Sequence, residues 1–392
     1  MSVLLRTILT LMIAQNAVPY QSENSKSYCL FHSNSSYSVA TINGEWRPMN
    51  NVAYDKVHQM DDDRACWLRN DSDKRLGRDS RLTFSSIDGC IIPLNTLFNP
   101  IEVKQRIRFM GDSISKQHFE AYSYWIDRKD AASILYYDHR PAALDIIRRF
   151  LMKYYNRTLP RTVALTHISP HSLKIFQCVV IDRYISYVRF DLFHYTDDIM
   201  AQAFIYLLLH LGYHEDDPLD NHDIVVFNFG IHGYQDSIDS IRIFIKAWKS
   251  LGILLDSTAL PLLVFRETSP QHFFPTLDYK NQDPYFFSRT RNCQRVDSIS
   301  SSAYDFASYF QSLVRRYNIS NYAILHTFNV SVDRYDEHPI LHWYNRTPLG
   351  SENKHTLYPH YSDCTHFCFR SAVFRYWNGI LNVLQASYAG VI

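Results

Sequence analysis

The chain has 392 residues, of which 46% are hydrophobic and 20% are charged. Its 40 basic and 39 acidic side chains give a formal net charge of +1. A chain of this size buries a substantial core, and its apolar content excludes a disordered protein. The balanced charge argues against a nucleic-acid partner, and the composition argues against a multispan membrane protein.

The N-terminus indicates the compartment. Within residues 1–20, Arg6 precedes a short apolar run and Pro19 follows it, which predicts a signal peptide or a short signal anchor. Any membrane association would then be through the N-terminus only. Six N-x-S/T sequons predict glycosylation in the secretory pathway, at Asn34, Asn70, Asn156, Asn318, Asn329 and Asn345. We therefore expect a Golgi-lumenal or secreted protein whose seven cysteines pair and leave one over.

Two regions differ in pattern. Residues 21–100 are polar, contain cysteines and lack regular periodicity, which predicts a loop-rich minor lobe held by disulfides. Residues 101–392 alternate short apolar runs with amphipathic stretches, which predicts an α/β domain with a central parallel sheet covered on both faces. Within it, Lys174–Ile181 and Ile185–Phe193 predict an added hairpin, and Tyr322–Phe328 predicts a strand. Other predicted elements are strands over Ile224–Asn228 and Leu262–Phe265, and helices over Ile199–Leu211, Ser298–Tyr317 and Val373–Leu384.

A candidate nucleophile lies where a predicted strand turns into a helix, at Gly111-Asp112-Ser113. Such a turn exposes a serine hydroxyl at the carboxyl edge of a sheet, beside the amide donors and the positive dipole end of a helix. The alternative is that Ser113 or Ser115 only caps the helix.

A candidate base and its orienting carboxylate, His366 and Asp363, stand just before the last predicted helix. A serine needs such a base, and the base needs a partner. The alternative is a capping Asp beside a surface His. Cys364 and Cys368 also permit a metal reading, but zinc needs four ligands and no second cluster is evident, so we expect no metal. The acidic runs at 61–63 and 215–217 are interpreted as solvated loops rather than calcium sites.

A third candidate is Asn228, which ends a predicted strand and precedes Phe229-Gly230. Its amide could bind an oxyanion at the same edge of the sheet, a contribution worth roughly a hundred- to a thousandfold in rate. The alternative is a turn-forming asparagine before glycine.

Together these segments resemble the trichome-birefringence-like family of the PC-esterase group, relatives of the GDSL/SGNH hydrolases. The family's blocks G-x-W, F-V-G-D-S-L-S, V-F-N-T-G, F-R-T-x-S-P-x-H-F, D-G-H-P, D-C-S-H-W-C and W-N have counterparts in the same order. These are Gly44–Trp46, Phe109–Ser115, Val226–Gly230, Phe265–Phe273, Asp336–Pro339, Asp363–Cys368 and Trp377-Asn378.

The resemblance implies an SGNH-like three-layer sandwich and acetyl transfer to polysaccharide hydroxyls. By motif, Ser113 is the nucleophile, His366 the general base and Asp363 its orienting carboxylate. The amide of Ser113 and the side chain of Asn228 would hold the oxyanion. Candidate substrate-binding residues are Arg266, His272 and His232, with a buried scaffold role for Arg266 and His272 as the alternative.

The resemblance also implies disulfides Cys29–Cys90, Cys66–Cys368 and Cys293–Cys364, with Cys178 left over. The chain departs from the family pattern at Lys116-Gln117-His118, where the family has R-N-Q, and at Gly230–Gly233, where it has G-H-W-W. Some of the family's N-terminal cysteines are also missing. Because of these departures, the resemblance does not by itself specify the acceptor or the direction of the reaction.

The sequence is therefore compatible with three functions. The first is a glycan O-acetyltransferase acting by double displacement through an acetyl-serine, as a monomer with no bound cofactor. It needs an acetyl donor, of which acetyl-CoA is one candidate, and a polysaccharide or glycan acceptor. The second is a secreted carbohydrate acetylesterase with the same triad and water as acceptor. The third is a non-catalytic glycan-binding protein, against which the presence of all three triad residues argues.

Overall fold

A computed structural model describes much of the chain. The residues it describes are 31–33, 36–38, 44–48, 82–86, 102–127, 135–138, 140–159, 177–181, 184–189, 193, 195, 197–211, 218–229, 234–256, 259–270, 272, 301–334, 338, 340–341, 361–362, 366–367 and 371–391.

The elements alternate along the chain as a parallel sheet requires. The strands are β1 (Phe31–Ser33), β2 (Ser36–Ser38), β3 (Gly44–Pro48), β4 (Leu82–Ser86), β5 (Ile107–Gly111), β6 (Leu135–Asp138), β7 (Gln177–Ile181), β8 (Ile185–Arg189), β9 (Ile224–Asn228), β10 (Leu262–Arg266), β11 (Tyr322–Leu325), β12 (Ile340–Leu341) and β13 (Tyr361–Ser362). The helices are α1 (Ser113–Asp127), α2 (Arg140–Tyr155), α3 (Asp198–His210), α4 (Tyr234–Leu255), α5 (Ser301–Arg316), α6 (Phe328–Val332) and α7 (Ala372–Tyr388).

The main sheet has the order β1-β2-β11-β10-β9-β5-β8-β7-β6. Its five central strands, β8, β5, β9, β10 and β11, are mutually parallel, which confirms the prediction of an α/β fold with a central parallel sheet. Numbered along the chain, these five strands stand in the order 2-1-3-4-5, a common order of doubly wound sheets. The order reverses between β5 and β9. In such sheets ligands bind outside the carboxyl ends of the strands at this switch point.

Both faces of the sheet are covered by helices. Side chains alternate along β5, so that Met110 lies in one apolar cluster while Ile107 and Phe109 lie in the other. The first cluster is completed by buried residues of α2, α3, α4 and α5, and the second by those of α1 and α7. The five central strands thus form the middle layer of an α/β sandwich.

Two predicted elements need correction. Strands β7 and β8 pair antiparallel, as expected of a hairpin, but β8 also pairs with β5 and so belongs to the parallel core rather than to an addition. The strand predicted over Tyr322–Phe328 ends at Leu325, and α6 begins at Phe328. A tertiary contact favours this change, because Glu267 Oε2 accepts the backbone N–H of Phe328 at 3.0 Å.

The predicted minor lobe is described only at its strands. Strand β2 lies parallel to β11 and extends the main sheet, while β3 pairs antiparallel with β4. The six cysteines of the predicted disulfides lie outside the described residues, as does the predicted leader at 1–20, so these remain predictions. Cys178 lies in β7. None of the described helices is long and apolar enough to cross a membrane.

Candidate active site

The turn that carries Ser113 is fixed by its two preceding residues. Strand β5 ends at Gly111, which adopts φ +134°, a region that favours glycine. Asp112 Oδ1 then accepts the N–H groups of Ile114 at 2.9 Å and Ser115 at 3.1 Å, as an N-cap residue does. Asp112 therefore caps α1, and the capping role considered for Ser113 and Ser115 is filled by their neighbour.

The side chains of Ser113 and His366 meet at this turn. His366 Nε2 lies 2.7 Å from Ser113 Oγ, which is the separation expected of a nucleophile and its general base. Both residues are partly exposed. His366 lies between β13 and α7, more than 250 residues after Ser113, so the fold alone brings them together. Asp363 lies outside the described residues, and its orienting role remains a prediction.

Tyr187 supports the turn from the neighbouring strand β8. Its hydroxyl lies 2.9 Å from each of the carbonyl oxygens of Gly111 and Asp112, the two residues before Ser113. Because the tyrosine is buried, its hydroxyl supplies these two carbonyl oxygens with the hydrogen-bond donor that water provides at an exposed site. The contact holds the backbone that presents the serine.

Asn228 lies at the predicted place, the end of β9, but its amide is engaged. Nδ2 donates to the carbonyl of Arg266 at 2.8 Å and to Thr268 Oγ1 at 3.1 Å, so it links β9 to the end of β10. Its Oδ1 is buried without a hydrogen-bond partner among the described residues. Both N–H groups of the Asn228 side-chain amide are therefore engaged. The amide would have to rotate before it could donate to an oxyanion.

Arg266 is buried between α1 and α7 rather than facing a cleft. Only 1% of it is exposed, its Nη2 lies 3.3 Å from Ser115 Oγ, and its guanidinium stands 4.9 Å from the ring centre of Trp377. Burial lowers the pKa of Arg266 to about 10, an effect that the nearby charge of Asp112 opposes. This placement matches the scaffold role.

Of the other two predicted substrate-binding residues, His272 and His232, only His272 is described by the structure. His272 is fully buried, with Nε2 2.8 Å from the carbonyl oxygen of Val332 and Nδ1 2.5 Å from Nε2 of His338. It too matches a scaffold role. His232 lies outside the described residues.

Two residues that sequence reasoning gave no role hold the segment that carries His366. Gln117, one helical turn after Ser113, donates from Nε2 to the carbonyl of Phe367 at 3.1 Å. His338 Nδ1 lies 2.6 Å from the carbonyl oxygen of His366 itself. The D-E-H-P segment containing His338 was visible in the sequence, but its contact was not. The described part of the chain contains no cluster of three or more metal-ligating side chains.

Fold and site together define an α/β protein with a serine–histidine pair at the carboxyl edge of its sheet. No family model matches the chain. The chain is similar to the Arabidopsis thaliana protein named trichome birefringence-like 26, with 26% identity over 155 residues. The similarity covers 38% of this chain and 32% of the relative, so it spans about a third of the relative's length.

Proposed function

We propose that the protein belongs to the trichome-birefringence-like family and transfers acetyl groups to hydroxyls of a polysaccharide or glycan. The observation that carries the proposal is the 2.7 Å contact between Ser113 Oγ and His366 Nε2, placed at the switch point of the sheet. The ordered sequence blocks and the similarity to the Arabidopsis relative support it. We place the activity in the Golgi lumen or outside the cell.

The reaction would proceed in two displacements. Ser113 Oγ attacks the carbonyl carbon of an acetyl donor while His366 Nε2 takes the hydroxyl proton. His366 returns that proton to the departing group of the donor, which leaves an acetyl ester on Ser113. A sugar hydroxyl then gives its proton to His366 and attacks the ester, and the proton passes back to Ser113 Oγ. Asp363 would hold the imidazole in the required tautomer.

Each displacement creates a negatively charged oxygen, which needs donors. The backbone N–H of Ser113 stands at the N-terminus of α1, where the helix dipole favours negative charge. Asp112 takes the N–H groups of Ile114 and Ser115 and not that of Ser113, so the serine amide is the first proposed donor. Asn228 is the second, after its amide turns from Arg266 and Thr268.

An acetylesterase is the alternative, and one observation favours it. Ser113 and His366 are both partly exposed, so water can approach an acetyl-serine and replace the sugar hydroxyl. The same pair of side chains makes a non-catalytic glycan-binding protein the weakest of the three hypotheses.

The test is mass spectrometry of products from the purified protein, an activated acetyl ester and a panel of neutral oligosaccharides. An acetyltransferase forms acetylated sugar faster than free acetate, whereas an esterase forms acetate alone. Ser113→Ala and His366→Ala should each lower turnover on the order of a thousandfold or more. The matched controls are Ser312→Ala and His222→Ala, because both of these residues are exposed and far along the chain from the pair. Turnover that survives Ser113→Ala would overturn the proposal.

A further inference from the structure

Three contacts made by two buried histidines form a chain that ends on the proposed general base. His272 Nε2 lies 2.8 Å from the carbonyl oxygen of Val332, and His272 Nδ1 lies 2.5 Å from His338 Nε2. His338 Nδ1 lies 2.6 Å from the carbonyl oxygen of His366. The two linked imidazoles therefore connect the last residue of α6 to the residue whose side chain contacts Ser113.

The protons in this chain can be counted. A carbonyl oxygen only accepts, so His272 Nε2 and His338 Nδ1 must each carry a proton. The contact between His272 Nδ1 and His338 Nε2 needs a further proton, because two bare ring nitrogens repel each other. The chain thus needs three ring protons, whereas two neutral imidazoles carry only two.

We propose that His272 and His338 share one excess proton, and that the resulting hydrogen-bond chain positions His366 for catalysis. His338 is the positioning residue and His272 orients it. This inference rests on the proposed role of His366 as a general base. It goes further by assigning a task to two residues that do not touch the reacting atoms.

The surroundings suit such a device. His272 is fully buried and His338 is 4% exposed, so both rings are largely shielded from solvent. Phe367 packs against both rings, with centroid distances of 6.1 Å to His272 and 4.5 Å to His338. Gln117 independently holds the carbonyl of Phe367 at 3.1 Å. The carbonyls of two successive residues are therefore hydrogen-bonded: that of His366 to His338 and that of Phe367 to Gln117.

Charge-assisted bonds to carbonyl oxygens compensate for the buried charge of the pair. Titratable groups on the described segments next to the pair include His366, the exposed Asp333 and the buried Arg334. They also include the buried Glu267, five residues before His272, whose carboxylate accepts the N–H of Phe328 at the start of α6. Asp336 and Glu337 precede His338 in the chain but lie outside the described residues.

The test measures how fast a fluorophosphonate labels Ser113. In this reaction the serine oxygen bonds to phosphorus, fluoride leaves and His366 takes the proton, so the rate reports the Ser113–His366 pair without any acetyl donor or sugar. His338→Leu removes the donor to the His366 carbonyl, and we expect labelling to slow about tenfold or more. His338→Asn keeps an amide donor at the position of Nδ1, and we expect a rate within about threefold of the wild type. Melting temperatures and circular dichroism show that each variant is folded.

The shared proton has its own readout in the pH profile. The wild-type labelling rate should fall at alkaline pH as the pair loses its excess proton, whereas His338→Asn, which needs no such proton, should hold its rate. His338→Leu at the wild-type rate would overturn the positioning role, and so would His338→Asn as slow as His338→Leu. The same alkaline fall in His338→Asn, or none in the wild type, would overturn the shared proton. If the protein proves not to transfer acetyl groups, the labelling rates still decide the inference.

Discussion

Gly111 and Asn228 approach each other so closely that a Cβ added to Gly111 would stand 2.5 Å from the Asn228 carbonyl oxygen. The two residues are register partners at the ends of β5 and β9, the strands that flank the switch point. The serine turn is therefore built against the neighbouring backbone with no room for a side chain. This explains why glycine, with its positive φ, precedes Asp112-Ser113 here.

Gly111→Ala should therefore destabilise the protein by on the order of 3 kcal/mol and abolish turnover, because either β9 or the serine turn has to move. Urea unfolding and an activity assay measure the two effects. Gly390→Ala is the matched control: Gly390 also has positive φ, +70°, but an added Cβ there meets nothing within 4 Å. We expect it to cost only about 1 kcal/mol and to retain activity. An added Cβ at residue 111 would also stand 2.7 Å from Ser115 Oγ. Equal effects of the two substitutions would show that backbone strain, and not the close contacts with Asn228 and Ser115, limits residue 111.

Tyr187→Phe tests the support beneath the nucleophile. The variant keeps the buried ring but removes the hydroxyl that lies 2.9 Å from the carbonyls of Gly111 and Asp112. We expect a loss of about 1–2 kcal/mol in the free energy of unfolding and a fall of about tenfold in kcat/KM. Tyr122→Phe is the control, because Tyr122 lies on α1 and its buried hydroxyl bonds to Gln385 of α7, away from Ser113. It should lower stability without lowering kcat/KM, and a parallel fall in activity would contradict a local role for Tyr187.

The apolar pattern of the sequence predicted the buried strands of this fold well, but it predicted less well which strands pair with each other. The strand predicted over Ile224–Asn228 coincides with β9, because a strand buried on both faces is visible in the sequence as a continuous apolar run. The apolar pattern of β8 does not show that this strand pairs with β5. A strand buries the same side chains whether its neighbour is parallel or antiparallel. The early end of β11 likewise depends on Glu267, which lies on another segment.

The site shows the same division. Ser113 and His366 were candidates from their local motifs, and the family resemblance implied that they act together. The fold brings their side chains into contact. The role of His338 could not be predicted from its motif, because it depends on contacts with His272 and His366, which are 66 and 28 residues away. Whether Arg266 faced a cleft or the core was equally undetermined, since an arginine after a strand is compatible with both.

Two of the sequons should carry glycans if the chain passes through the secretory pathway as predicted. Asn156 and Asn318 are exposed, and each follows the end of a helix with positive φ, 49° and 51°. Asn329 instead lies within α6, and the hydroxyl of its sequon residue Ser331 is buried between the Thr327 carbonyl and Trp377 Nε1. We expect full occupancy at Asn156 and Asn318 and much lower occupancy at Asn329.

Enzymatic deglycosylation in heavy-oxygen water, followed by peptide mass spectrometry, measures the occupancy of each asparagine separately. The two exposed sites serve as internal controls for transit through the pathway. High occupancy at Asn329 would mean that modification precedes the folding of α6. Unmodified Asn156 and Asn318 in a secreted preparation would contradict the prediction that exposure governs these sites.

His118 should make the stability of the protein fall more steeply in acid than that of a variant without this side chain. It is fully buried among Phe109, Phe374 and Trp377, and neither ring nitrogen finds a hydrogen-bond partner within the described residues. Burial, and secondarily the positive charge of Arg266, holds the pKa of His118 well below its ordinary value of 6.5. The unfolded chain therefore binds a proton below pH 6.5 that the folded protein does not. The stability from this group is complete above that pH and declines as the pH falls towards the lowered pKa.

The slope is limited to about 1.4 kcal/mol per pH unit for one proton. The measurement is the free energy of unfolding in urea at pH 7 and at pH 5, for the wild type and for His118→Gln. Because the two proteins share every titratable group except residue 118, the contributions of the other groups cancel in the comparison. We expect the wild type to lose more stability than the variant on acidification, by an amount on the order of 1–2 kcal/mol. Equal losses in the two proteins would mean that His118 is protonated, or hydrogen-bonded, in the folded state.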